Sequence, residues 1–148
     1  MILISHRGNL DGKTDRENQP DYIMEALSSG FDVEVDVWNI TGRYLLGHDT
    51  PLYIVGKRFL QNDNLWCHAK NILALESMLK DNIHCFWHQE DDVTLTSKGY
   101  MWTYPGKELT DKSVVVMPEH YLEKWWGHKF EKQIGICSDY INKYRSLV

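Results

Sequence analysis

The stretch that most restricts the fold spans residues 31–38, where Val33, Val35 and Val37 alternate with Glu34 and Asp36. A period of two puts the valines on one strand face and both carboxylates on the other, and β-branched side chains favour that backbone. In most half-buried strands the charged face meets water. Here Thr41-Gly42 offers a turn and Tyr44-Leu45-Leu46 a short returning strand, so Glu34 and Asp36 are expected to gather with His48 and Asp49 at one end of a hairpin.

The first apolar run, Met1-Ile2-Leu3-Ile4, reads as a strand buried on both faces and ends at Ser5-His6-Arg7-Gly8. Asn18 is expected to cap a helix with Pro20 in its first turn, Tyr22, Ile23, Ala26 and Leu27 on its inward side, and Gly30 just past its end. Leu65-Trp66-Cys67-His68-Ala69 reads as a strand, and Asn71 starts a helix with Ile72, Leu75, Met78 and Leu79 on one face. Further strands are expected at residues 83–87 and 114–117, an extended aromatic segment at 99–104 and a last strand at 134–137. A helix is predicted over residues 118–126, and a closing one over 140–147 capped by Ser138 or Asp139. About seven strands against four helices imply an α/β architecture with a mainly parallel sheet.

At 148 residues the chain makes one domain, residues 1–148. A full (β/α)₈ barrel takes roughly 250 residues, so a barrel of this size has to be compact and helix-poor. A hydrophobic content of 43% is ample for one core. The net charge of -5, with scattered Lys and Arg, argues against a nucleic-acid partner. The opening apolar run is too short for a signal peptide or a membrane span, and the expectation is a soluble, cytoplasmic protein without stable membrane insertion. Cys67, Cys85 and Cys137 show no C-x-x-C spacing and read as buried reduced thiols.

His6-Arg7-Gly8, Glu17-Asn18, Gly30-Phe31-Asp32-Val33-Glu34-Val35-Asp36 and His48-Asp49 follow one another in residues 4–49. In that order and spacing they resemble the glycerophosphodiester phosphodiesterase family of the phospholipase-C-like phosphodiesterases. The resemblance implies a TIM-type (β/α) barrel and metal-dependent hydrolysis of a small phosphodiester. It also implies metal ligands at Glu34 and Asp36, catalytic histidines at His6 and His48, and a supporting role for Glu17 and Asp49. Where the family has Glu-x-Lys on the next strand this chain has His68-Ala69-Lys70, so imidazole stands in place of the third carboxylate.

The residue types suit that chemistry. A phosphodiester repels nucleophiles and parts poorly with an alkoxide, so its hydrolysis needs a cation, a base and an acid. Carboxylates at Glu34 and Asp36 suit Mg²⁺ or Ca²⁺; His68 as third ligand shifts the preference towards Mn²⁺ or Zn²⁺. Arg7 matches a phosphate with its planar donor fork, and Lys70 adds a second positive charge. His6 and His48 titrate near neutral pH, so one can take a proton while the other gives one; the sequence does not say which. His88, in the acidic run at residues 88–92, is a candidate substrate-loop residue. Two rival functions remain: a binding module for a phosphorylated sugar or lipid headgroup on a degenerate barrel, and a scaffold subunit using Trp125 and Trp126. Nothing in the sequence fixes an oligomeric state.

Overall fold

The computed structural model describes residues 1–121 and 130–148. The end of the helix expected at 118–126, with Trp125 and Trp126, therefore lies outside the described residues. Among those described, ten strands are present: β1 (Ile2–His6), β2 (Asp32–Ile40), β3 (Arg43–Leu46), β4 (Tyr53–Val55), β5 (Leu65–Ala69), β6 (Cys85–Phe86), β7 (Val93–Leu95), β8 (Met101–Thr103), β9 (Ser113–Val116) and β10 (Gly135–Ser138). The α-helices are α1 (Pro20–Ser28), α2 (Lys57–Leu60) and α3 (Ile72–Lys80).

Seven strands run parallel in the order β6-β5-β2-β1-β10-β9-β8, so the first and last strands of the chain are neighbours. The β3–β4 hairpin pairs antiparallel with the C-terminal half of β2, and β7 pairs antiparallel with β8. Among the described residues no ladder joins β6 to β7 or β8. That gap is bridged by Ser97, whose N–H donates to the Cys85 carbonyl at 2.8 Å and whose Oγ accepts from the Cys85 N–H at 3.0 Å. The result is a ten-stranded mixed sheet with few helices.

Register decides what each sheet face carries. Across parallel ladders, residues in register point the same way: Ile4 is level with Cys137, Asp36 with His68, and Trp102 with Val114. One face therefore packs Ile4, Trp66, Phe86, Trp102, Val114 and Cys137 as a partly aromatic core. On β2 the same face continues into Glu34 and Asp36, both fully or nearly fully buried. Val33, Val35 and Val37 point the other way and are covered by Ile23 and Ala26 of α1 and by Ala74 and Met78 of α3. The expected alternation on β2 holds, and its charged face is turned inward.

Several local expectations need correction. Asn18 does not cap α1; Gln19 occupies that position without a side-chain bond, and the Asn18 side chain is spent on Asp36 instead. Asn71 does cap α3, accepting from the Ala74 N–H at 3.0 Å. Yet α3 buries Ala74 and Met78, while Ile72 and Leu79 stand exposed: the helix turns its small residue inward where it sits close on the β2 valines. The closing helix is a 3-10 helix over Ile141–Leu147 whose N-cap residue, Tyr140, makes no side-chain cap bond, while Ser138 Oγ accepts the Tyr140 N–H at 2.9 Å. Pro118 opens a 3-10 turn, Pro118–Tyr121. The three cysteines are free and buried, and among the described residues no helix is long and apolar enough to cross a membrane.

Candidate active site

All seven parallel strands end on one side of the sheet, and the polar residues gather there. His6 closes β1, Glu34 and Asp36 belong to β2, His68 to β5, and Lys70 follows β5 directly. Together with His48 and His88 the histidines, Arg7, Glu34 and Lys70 line one cleft of about 500 Å³. Gly47 brings His48 round: its N–H donates to the Asp36 carbonyl at 3.1 Å. At φ 149° a Cβ on Gly47 would collide with the Thr50 carbonyl oxygen, so only glycine makes that bend.

The turn after β1 is strained in a productive way. Arg7 adopts φ 56° and Gly8 φ 94°, and a Cβ on Gly8 would lie 2.7 Å from Tyr22 Cδ1. This conformation aims the Arg7 guanidinium at β2: Nε lies 2.8 Å from Asp36 Oδ2, and Nη1 donates to Glu17 Oε2 at 3.2 Å. Left-handed non-glycine residues are costly and persist where surrounding structure imposes them. Asn18 (φ 63°) and Met117 (φ 47°) border the same site.

Glu34, Asp36 and His68 converge, with one ligand atom of each within 4.8 Å of the others. His68 Nδ1 lies 3.3 Å from Asp36 Oδ1 and 3.7 Å from Glu34 Oε1. Its Nε2–H donates to the His88 carbonyl at 3.0 Å, and its ring stacks on Phe86 at 5.1 Å between centroids. A carbonyl only accepts, so Nε2 carries the hydrogen, and Nδ1 is the ring atom turned towards the two acids. Lys70 Nζ stands 3.5 Å from Asp36 Oδ1.

Two observations fit a divalent cation at this triad. Glu34 Oε2 and Asp36 Oδ1 are buried acceptors that make no hydrogen bond and have only ion-pair neighbours, His6 Nε2 at 3.8 Å from the first and His68 Nδ1 and Lys70 Nζ at 3.3 and 3.5 Å from the second, an arrangement that a closer cation would satisfy better. The fixed orientation of His68 through its second ring nitrogen is the usual arrangement behind a metal-ligating histidine. The charges are also tuned apart. Burial and then Asp36 hold the Glu34 carboxyl above its ordinary range. Burial also opposes ionisation of Asp36, but His68, Arg7 and Lys70 outweigh it and hold that carboxyl well below the ordinary range.

A second cluster of His6, Glu17 and Asp139 is satisfied internally. His6 Nδ1–H donates to Asp139 Oδ1 at 2.7 Å, and Asn9 Nδ2 donates to Glu17 Oε1 at 2.7 Å and to Asp139 Oδ1 at 2.8 Å. Glu119 fixes Asp139 in turn, accepting from its N–H at 2.9 Å. This cluster is hydrogen-bonded scaffolding for His6 and Arg7. Burial works to lower the His6 pKa, and Asp139 with Glu34 outweighs it, so His6 is raised. His48 is lowered, by burial first and then by Arg7.

The candidate catalytic, phosphate-binding, metal-ligand and supporting residues named from the sequence all reach this region. Glu17 bridges Arg7 and Asn9, and Asp49 Oδ1 lies 2.8 Å from His48 Nδ1 although it is largely exposed. His88 contributes both its carbonyl and its ring. Asp139, Asn9 and Asn18 carry the site from positions read as caps or not singled out. His120 also lines the cleft, whereas His84 is buried elsewhere against Trp66. No protein-family model, curated protein or solved structure matches the chain. The likeness of residues 4–49 to the phosphodiesterase pattern therefore stands on its residues alone.

Proposed function

We propose that the chain is a short phosphoric diester hydrolase of the glycerophosphodiester phosphodiesterase type, a helix-poor TIM-type barrel acting on a small phosphodiester with a divalent metal. The strand order supports the barrel reading: successive parallel strands extend from β1 in one direction and back to it in the other. The observation that carries the function is the pair of buried oxygens on Glu34 and Asp36 that make no hydrogen bond beside His68, in a cleft that also holds His6, Arg7, His48 and Lys70.

Glu34, Asp36 and His68 would hold the cation, which supplies Lewis-acid polarisation of a non-bridging phosphate oxygen. An N,O,O donor set suits Mn²⁺ or Zn²⁺ as well as Mg²⁺ or Ca²⁺. Arg7 and Lys70 bring positive charge to the diester; Asp36 and Glu17 keep Arg7 in place. His6 has its Nδ1–H committed to Asp139, and His48 has Nδ1 against Asp49. Each therefore keeps Nε2 for the substrate, one to take the proton of the attacking nucleophile, water or a neighbouring substrate hydroxyl whose cyclic ester water then opens, and the other to protonate the departing alkoxide.

The deciding experiment is turnover of bis(4-nitrophenyl) phosphate and of glycerophosphodiesters after chelation and re-addition of each metal. Metal-dependent cleavage that is lost in His6→Ala and falls about a hundredfold or more in Glu34→Ala supports the proposal. Absence of turnover with every metal and diester overturns it.

A further inference from the structure

The phosphoryl chemistry uses one part of the cleft and leaves another without a task. Beyond the residues given a phosphoryl or metal role, the lining includes His88, Trp102, Tyr104, Pro105 and Met117, with Gln89, Val116 and His120. Tyr104 is not core: it is 40% exposed, and its ring stands 5.0 Å from that of His88. Trp102 is buried behind, packed on Phe86 at 4.6 Å. The decisive feature is His88. Its side chain is only 10% exposed, yet among the described residues neither ring nitrogen has a hydrogen-bond partner. Asp91 Oδ2 comes no nearer than 3.7 Å to Nδ1, beyond hydrogen-bond reach. A buried imidazole with a donor and an acceptor both idle is an anomaly that a ligand would resolve.

We infer that this part of the cleft is a subsite for a planar heteroaromatic ring of the nucleobase kind, so that the phosphoryl compound bound is a nucleotide ester. The inference rests on the proposed function only for where the phosphoryl group lies. A ring face stacks on Tyr104, while an edge nitrogen or oxygen pairs with one of the two ring nitrogens of His88. An acyl chain would leave His88 unsatisfied. A cationic headgroup would face Arg7, Lys13 and Lys70, against the single carboxylate of Glu34 among the described lining residues. The cleft volume lies in the range of small-molecule sites.

Calorimetric titration of the full chain with adenosine 5′-phosphate, ribose 5-phosphate and adenosine tests this. Adenosine 5′-phosphate should bind about tenfold or more tightly than ribose 5-phosphate. That preference should vanish in Tyr104→Leu and in His88→Ala, with ribose 5-phosphate affinity unchanged in Tyr104→Leu. Equal binding of the two phosphates by the wild type overturns the subsite and leaves the phosphoryl site standing. A preference that survives both substitutions also overturns it. Binding of adenosine that Tyr104→Leu abolishes, with neither phosphate adding affinity, supports the ring subsite and counts against the phosphoryl reading. No binding of any probe overturns both.

Discussion

Asn18 grips Asp36 from both ends: its Nδ2 donates to the carboxylate Oδ2 and its Oδ1 accepts from the Asp36 backbone N–H, each at 2.9 Å. This pair ties the turn before α1 to the middle of β2 and keeps one oxygen of Asp36 occupied while the other faces His68. Replacing Asn18 by Ala leaves a buried N–H and a buried carboxylate oxygen short of partners. The expected loss is about 2–4 kcal/mol in urea unfolding. A loss below about 1 kcal/mol would mean that the bonds are satisfied in some other way.

The ligand role proposed for Glu34 has a signature in stability. Because burial and Asp36 raise its folded pKa above the unfolded value, its ionisation above that value works against folding. The cost is present at neutral pH and disappears as pH falls below the ordinary glutamate range. Glu34→Gln should therefore raise the urea midpoint of metal-free protein at pH 7, and should abolish the stabilisation that added divalent metal gives the wild type. A variant that is less stable without metal, and still stabilised by it, would refute the ligand role.

His84 sets an acid limit unrelated to the cleft. Burial, with Lys98 adding to it, lowers its pKa from 6.5 to about 4, and its Nε2 bonds Thr96 Oγ1 at 2.9 Å across the β6 gap. A depressed histidine means that the unfolded chain binds the proton first. Stability attached to neutral His84 is complete above about pH 6.5 and drains as pH falls towards 4, by an amount on the order of 2–3 kcal/mol. Urea midpoints in His84→Gln should depend less on pH between 6.5 and 4 than those of the wild type. Parallel curves would show that another group sets the limit.

How far the sequence could be read depends on the range of each signal. The alternation of Val33 to Val37 with Glu34 and Asp36 is local, and so is the Asn71 cap; both have the form their spacing predicts. Position within a motif likewise pointed to His6, Glu34, Asp36 and His68, which share one cleft or its floor. The supports were hidden because they are distant. Asp139 binds His6 across 133 positions and Asn9 across 130, and Asn18 and Asp139 both read locally as helix caps, which a window of a few residues prefers. One signal was available for Asp139: if the last strand pairs in parallel with the first, the residue after it must lie beside the end of β1. The short strands β4 and β7 were invisible for another reason. Three residues each, with Ile54 and Leu95 exposed, they carry no hydrophobic periodicity and are held by their partners.

The Asp139–His6 pair gives the sharpest test of proton handling. Asp139→Asn preserves size and retains an oxygen able to accept from both His6 Nδ1 and Asn9 Nδ2, so the fold should persist. What is lost is a negative charge 2.7 Å from the ring. Since Asp139 contributes to raising His6, the His6 pKa should fall in the variant, as followed by NMR of the ring protons. Turnover at pH 7 should drop by about 10–100-fold through loss of ring orientation and basicity. Glu119→Gln, which loosens Asp139 without touching His6, should give a smaller loss in the same direction. An unchanged His6 titration in Asp139→Asn would break the link between the last strand and the first, and His6 would then have to be positioned by Glu34 alone.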